Sequence, residues 1–105
     1  MATTLQENKH WSSGRWQVKE GNADEFVERW REFLTWTKEA NEGFLGARLI
    51  RDLRNPNAFV SFAAWQDLHS MRAWQGSPEF KERFDAAYVL CDDMQSSGYE
   101  LVVEI

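Results

Sequence analysis

The sequence has a single cysteine, Cys91, and this scarcity limits the kinds of site the chain can build. One thiol cannot form an internal disulfide, and it cannot supply the paired cysteines of a common zinc framework. Asp92 and Asp93 follow Cys91, but one thiol and two adjacent acids on a predicted helix do not converge on one ion. We therefore expect no metal site, and the sequence indicates no cofactor.

Long apolar runs and basic clusters are also missing. No stretch approaches the roughly 20 apolar residues that span a bilayer, and the first residues, MATTLQENK, lack the apolar segment of a signal peptide. Twelve basic and 17 acidic residues give a formal net charge of −5. This balance argues against nucleic acid and anionic membranes as partners. We expect a cytoplasmic protein.

Aromatic side chains, by contrast, are abundant: the 105 residues include six tryptophans and seven phenylalanines. A chain of this length fits one domain with one hydrophobic core. Each packed Trp buries on the order of 200 Å², so the chain has more apolar surface than a minimal core requires. This surplus predicts either a subunit interface or an aromatic-lined cavity.

Alternating apolar residues predict four strands in one domain, residues 11–105, which follows a flexible tail at residues 1–10. The predicted strands cover residues 11–20, 44–53, 58–65 and 98–105. The second and third are joined by RNPN, where Pro56 between two asparagines indicates a tight turn. These two strands are therefore expected to form a hairpin.

Apolar residues at three- and four-residue steps predict helices between the strands. The longest begins after Asn22, with Glu25 in the capping-box position, and ends near residues 41–43. A short helix is expected after Asp67, and another begins at Ser77-Pro78-Glu79, the usual order of cap, first-position proline and acid. The last helix carries an apolar stripe made of Phe80, Phe84, Ala87, Tyr88 and Cys91.

The order β-α-β-β-α-β is that of an α+β, ferredoxin-like domain with a four-stranded antiparallel sheet. Helices on one side of such a sheet leave its other face to water, and that face should be polar. In the third strand, however, Val60, Phe62 and Ala64 point away from Phe59 and Trp65. A second copy of the chain would cover this face, which predicts a homodimer in the form of a dimeric α+β barrel.

From residue 16 to 105 the sequence resembles the antibiotic biosynthesis monooxygenase family. The segments that carry the resemblance are VKEGNADEFVERW, LIRDLRNPNAFVSFAAWQD and SPEFKERF. The resemblance implies the fold predicted above, a dimer, and a pocket between helices and sheet in each subunit. Some members oxidise polycyclic phenols or anthrones to quinones without metal or flavin, whereas others degrade haem or act on small signals.

Trp65 matches the tryptophan at the strand end that borders the pocket in this family, and the resemblance makes it a candidate catalytic residue. In the quinone-forming members an asparagine precedes this tryptophan by four residues and a tyrosine follows it by six. Here these positions hold Ser61, which can donate a hydrogen bond to a phenolate, and Met71, which cannot titrate. The alternative is that Trp65 is only a core residue at the corner between strand and helix.

Haem-degrading relatives ligate iron through a histidine on the last helix, in a motif similar to F-K-E-A-H. The matching position here is Phe84, and phenylalanine cannot coordinate iron. His69 is the histidine expected inside the domain, and as a catalytic base it could take a proton from a phenol. A solvent-facing or capping role for His69 is the competing interpretation.

Other aromatic residues are expected to converge on the same region. The candidate substrate-binding residues are Trp16, Trp30, Phe33, Ser61, Met71, Phe84 and Tyr88. Helical and strand spacing predicts the same positions for a plain core. Two functions therefore stay open: a cofactor-independent monooxygenase for a small aromatic or polycyclic compound, and a non-catalytic small-molecule-binding or stress-response dimer.

Overall fold

A computed structural model describes residues 10–105, so the predicted tail lies outside the described residues except for His10. The first strand begins at His10, one residue before the predicted start of the domain. The elements are β1 (His10–Val18), α1 (Ala23–Ala40), β2 (Phe44–Arg51), β3 (Ala58–Trp65), α2 (Leu68–Gln75), α3 (Pro78–Tyr88) and β4 (Cys91–Glu100).

The four strands form one antiparallel sheet in the order β2-β3-β1-β4. The two central strands, β1 and β3, are therefore far apart in sequence, and the β2–β3 hairpin is confirmed. This β-α-β-β-α-α-β arrangement is ferredoxin-like, with the short α2 preceding α3, and it confirms the predicted fold class.

Two of the three predicted helix caps are confirmed. The Asp67 carboxylate accepts a hydrogen bond from the Ser70 N–H at 2.7 Å, and the Ser77 hydroxyl accepts one from the Phe80 N–H at 3.1 Å. The predicted capping box at Asn22 is wrong, because its side chain makes no cap hydrogen bond. Its backbone, at φ −105° and ψ 7°, is not in the extended conformation from which a cap side chain reaches the first turn.

The predicted bounds of the last helix and strand are also wrong. Helix α3 ends at Tyr88, and Cys91, predicted on the helical stripe, is the first residue of β4. Pairing with β1, from Cys91 opposite Val18 to Glu100 opposite His10, fixes the range of β4. The apolar alternation at 98–105 suggested a strand, but residues 101–105 have no regular structure.

The helices pack against one face of the sheet. Side chains on this face pack under the helices in two clusters, one around Trp16 and Phe26 and the other around Phe33 and Trp65.

None of the helices within residues 10–105 is long and apolar enough to cross a membrane. In the same part of the chain, no three His, Cys, Asp or Glu side chains come together as a metal site would require.

Candidate functional site

A cavity of about 310 Å³ lies between the sheet and the helices. This volume is at the lower end of those of small-molecule sites. Its helical wall, from α1 to α3, consists of Trp30, Phe33, Leu34, Trp74, Gln75, Phe80 and Phe84. Its sheet wall, from β1, β3 and β4, consists of Ser12, Gly14, Trp16, Ser61, Ala63, Met94 and Ser96. Ser13 and Phe62 also border the cavity, although strand alternation directs their side chains to the opposite face of the sheet.

The aromatic rings of the helical wall hold one another in place. The Phe33 ring stacks on Trp74 with centroids 5.8 Å apart and meets the Phe80 ring edge-on at 5.4 Å. Phe80 in turn stacks on Phe84 at 5.6 Å, one helical turn away. Such contacts restrict the rotamers of large rings, so the wall presents preformed apolar surface to the cavity.

Two serines of the sheet wall accept hydrogen bonds from buried indoles. Trp16 Nε1 donates to Ser61 Oγ at 3.0 Å, and Trp65 Nε1 donates to Ser12 Oγ at 3.1 Å. Both serines are nearly buried, at 9% and 8% exposure. The indole N–H groups are thus satisfied inside the core, as buried donors require.

A third indole follows a different pattern. Trp74 Nε1 donates to Thr37 Oγ1 at 2.9 Å, and the Thr37 hydroxyl itself donates to the Phe33 carbonyl at 2.8 Å. Thr37 is fully buried and is not part of the cavity lining. Its only hydrogen is therefore used within α1.

Gly14 allows close packing in the sheet wall. A Cβ atom at this position would lie 2.8 Å from Met94 Cε, 2.9 Å from Trp16 Nε1 and 3.1 Å from Ser61 Oγ. Gly14 pairs with Ser61 on β3 and with Ser96 on β4. The missing side chain therefore lets Met94, Trp16 and Ser61 pack closely over the middle of β1, where a Cβ atom would collide with them.

No ionisable side chain lines the cavity in the described part of the chain. Burial, with help from the neighbouring Asp92 carboxylate, raises the pKa of the Cys91 thiol to about 11, but this thiol packs in the core beside Trp16. Backbone N–H groups lower the pKa of Asp52 in the hairpin turn and of Asp67 at its cap, where both have structural roles. The site is therefore apolar, with uncharged hydroxyl groups.

The structure brings five of the nine predicted site residues together. Those that line the cavity are Trp16, Trp30, Phe33, Ser61 and Phe84. Those that do not are Trp65, His69, Met71 and Tyr88. The first group comes from β1, α1, β3 and α3, so the cavity joins elements that are distant in sequence.

The four remaining residues lie around the cavity. Trp65 is fully buried behind Trp74, and Met71 packs in the same cluster. Tyr88 is 43% exposed and stacks on the outer side of the aromatic wall, while His69 is exposed on α2. None of these four side chains would touch a ligand held within the lining described above.

Several cavity residues were missed from the sequence, above all Ser12, Gly14, Trp74 and Phe80. The alternation of β1 contained a usable signal, since residues 12, 14 and 16 share the face of the sheet that Trp16 was predicted to occupy. Small residues next to a large inward ring leave room above the sheet. Trp74 was on the predicted short helix, but nothing local separated it from Trp65 as the residue nearer to a ligand.

Comparisons with solved structures show the same fold. SnoaB, a cofactor-independent oxygenase from Streptomyces nogalater, is similar with a TM-score of 0.84 and 19% identity over 93% of this chain and 97% of that one. A conserved protein from Methanosarcina mazei gives 0.80 and 21% identity over 93% and 97%. A candidate antibiotic biosynthesis monooxygenase from Deinococcus radiodurans gives 0.77 and 21% over 91% and 95%.

No curated protein sequence matches this chain at a significant level. The family model for antibiotic biosynthesis monooxygenases matches residues 13–86, which is more than half of the chain. This range includes β1 from its fourth residue, every element from α1 to α2, and all but the last two residues of α3. The chain therefore belongs to the antibiotic biosynthesis monooxygenase family.

Proposed function

We propose that this protein is a monooxygenase that oxidises a small aromatic or polycyclic phenol- or anthrone-like compound with O₂, without a cofactor. The observation that carries the proposal is the cavity itself, with stacked aromatic rings on the helical wall and serine hydroxyls on the sheet wall. Membership of the family supports it, as does the likeness to SnoaB in fold.

The chemistry needs little from the protein beyond binding and polarisation. A phenol or anthrone that has lost a proton is electron-rich and can pass an electron to O₂ itself. One oxygen atom then enters the quinone product, and the other leaves as water with the two hydrogens lost from the substrate. The aromatic walls keep the site apolar, and the Ser61 hydroxyl donates to the substrate oxygen where negative charge develops.

The cavity has no side chain of its own that could accept the substrate proton. In our proposal the acidic substrate loses its proton to water, because no base lines the cavity among residues 10–105. His69 is exposed on α2, and an imidazole at that place could act only on a proton that has already reached the surface. The variant His69→Gln decides this: loss of turnover with an altered pH profile would identify the imidazole as the base.

The proposed oxidation is tested by incubating the protein with a panel of anthrones and dihydroxynaphthalenes. Quinone absorbance and O₂ uptake should rise together, in a ratio of one to one. Ser61→Ala should lower the rate by about tenfold or more, because a donor to the developing charge is lost. Thr35→Ala, on the exposed side of α1, is the matched control. No O₂ uptake with any member of the panel would contradict the proposal.

A non-catalytic small-molecule-binding or stress-response protein is the second candidate. The lack of an ionisable side chain in the lining favours it, since most enzymes place an acid or base at the reacting atoms. Tight binding of the same compounds without O₂ uptake would establish this function. Either function is compatible with a homodimer, which we propose from the apolar side chains on the face of the sheet opposite the helices.

A further inference from the structure

We propose that Ser12 and Ser61 act as a pair of hydrogen-bond donors, and that the cavity thereby selects planar ring compounds with acceptor oxygens on opposite sides of one ring. Quinones and hydroxy-ketones are compounds of this class. The inference rests on the proposed function, because it names the substrate class of the same cavity. It adds Ser12, a residue of β1, to the groups that contact the ligand.

The hydrogen bonds of the two serines leave one donor free on each. A hydroxyl group has one hydrogen and two acceptor lone pairs. One lone pair of Ser61 is occupied by the Trp16 indole, and one of Ser12 by the Trp65 indole. Neither hydroxyl donates to any described group of residues 10–105, whereas both line the cavity. Their hydrogens are therefore available to a ligand.

The indoles also strengthen these donors. A hydroxyl that accepts a hydrogen bond becomes a better donor, because chains of hydrogen bonds polarise one another. Trp65 is fully buried and Trp16 nearly so, so water does not compete for their N–H groups. Trp65 thus acts on a ligand through Ser12, as a positioning residue that touches no reacting atom.

The positions of the serines set the arrangement of the acceptors. Ser12 pairs with Ala63 across β1 and β3, and Gly14 pairs with Ser61, so the two serines are diagonal neighbours on one face. Such neighbours are about 7–8 Å apart at Cα, too far for both hydroxyls to reach one oxygen easily. Two oxygens across one ring fit this separation, with the ring lying in the cavity that both serines line.

The third indole–hydroxyl pair supplies a control within the same molecule. Thr37 accepts from Trp74 as the serines do from their indoles, but its hydrogen is donated to the Phe33 carbonyl. Thr37→Val breaks a buried indole–hydroxyl bond without removing a donor from the cavity. It should therefore disturb the protein without changing which ligands are preferred.

The test uses 2,3-dimethyl-1,4-naphthoquinone and 2,3-dimethylnaphthalene, which share a ring system and differ in the two carbonyl oxygens. Wild type should bind the quinone more tightly, and Ser12→Ala and Ser61→Ala should each lower the ratio of the two affinities about two- to tenfold. Thr37→Val should leave the ratio unchanged. The carbonyl stretching band of the bound quinone should move to higher frequency in each serine variant.

A second set of variants avoids a buried donor that has lost its partner. Ser61→Ala leaves the Trp16 indole N–H unpaired, whereas the double variant Trp16→Phe/Ser61→Ala removes both partners at once. Trp65→Phe/Ser12→Ala does the same for the other pair. The ratio of affinities should fall in these variants as well.

Equal affinity of wild type for the two probes, or no binding of either, would overturn the proposal. Serine variants that weaken both probes alike, or that leave the carbonyl band in place, would also overturn it. The proposed oxidation is tested separately by O₂ uptake. A protein that selects the quinone but never consumes O₂ would support the paired donors and contradict the monooxygenase.

Discussion

The rings of Trp65 and Trp74 lie 4.8 Å apart between centroids, and only Trp74 faces the cavity. Trp65 is fully buried behind Trp74, and its indole N–H donates a hydrogen bond to Ser12. The aromatic stretch from Phe59 to Phe80 is therefore both a core seam and a cavity wall. The two roles are divided between neighbouring tryptophans.

This division predicts that Trp65→Phe lowers stability more than ligand binding. The smaller ring leaves space beside Trp74 and removes the N–H, so we expect the free energy of unfolding to fall by about 1–3 kcal/mol. Trp36→Phe, at a partly exposed ring under Arg83, is the matched control and should cost less. Chemical denaturation measures both. A hydrocarbon probe should bind the two variants as it binds wild type, and a selective loss in Trp65→Phe would contradict this division.

Gly14→Ala should narrow the cavity. The added methyl group would lie within 3 Å of Met94 Cε and Trp16 Nε1, and overpacking of this kind costs about 1–3 kcal/mol. We expect weaker binding of every aromatic probe together with lower stability. Gly98→Ala is the control, since its nearest contact, Met71 Cε, is 3.4 Å away. Calorimetric titration of both variants with an aromatic probe measures the change in affinity. Unchanged affinity in Gly14→Ala would show that ligands avoid this part of the cavity.

The sequence predicted those helices and strands in which apolar residues recur at regular spacing. Helix α1 and strand β3 have clear apolar spacing, so their ranges could be predicted closely. Strand β4 could not, because its segment DDMQSS is polar and its order comes from backbone pairing with β1. Edge strands paired in this way have little hydrophobic pattern to detect.

The site was predicted only in part for a related reason. Aromatic residues such as Phe33 could be proposed because of their residue type. A single sequence does not show, however, which of these rings faces the cavity and which lies behind it in the core. The bond from Trp65 to Ser12 spans 53 positions, and it depends on the register of β1 against β3. The partner of Ser12 could therefore be recognised only once the strands were paired.

Stability should fall in alkaline solution because of Cys91. The folded chain holds the thiol proton up to a pKa of about 11, whereas the ordinary value is 9.0. Between these two pH values the folded state binds more protons than the unfolded state does. The contribution of this thiol to the free energy of unfolding is therefore lost as pH rises from about 9 to 11. Denaturation midpoints across this range measure the effect. Cys91→Ala should show a shallower decline, and an equal decline in both proteins would assign it to other groups.

Haem should not bind through an iron–histidine bond. The resemblance matches Phe84 to the ligand position of the haem-degrading relatives, and the Phe84 ring lines the cavity stacked on Phe80, so we do not expect an iron–histidine bond at this position. Titration with hemin should give no sharp, stoichiometric Soret shift, whereas Phe84→His should gain one. A shift in wild type that disappears in His69→Gln or His10→Gln would contradict the argument from Phe84.

The protein should be a homodimer joined through the face of the sheet opposite the helices. Trp11 and Phe62 meet on this face with centroids 6.2 Å apart, beside Val60 of the same strand. Light scattering at micromolar concentration should give twice the 12.3 kDa chain mass. Val60→Glu should give monomers, because a carboxylate without a partner is costly to bury, whereas Leu53→Glu, on the fully exposed hairpin turn, should stay dimeric. A monomeric wild type would leave this apolar face unexplained and would contradict the barrel.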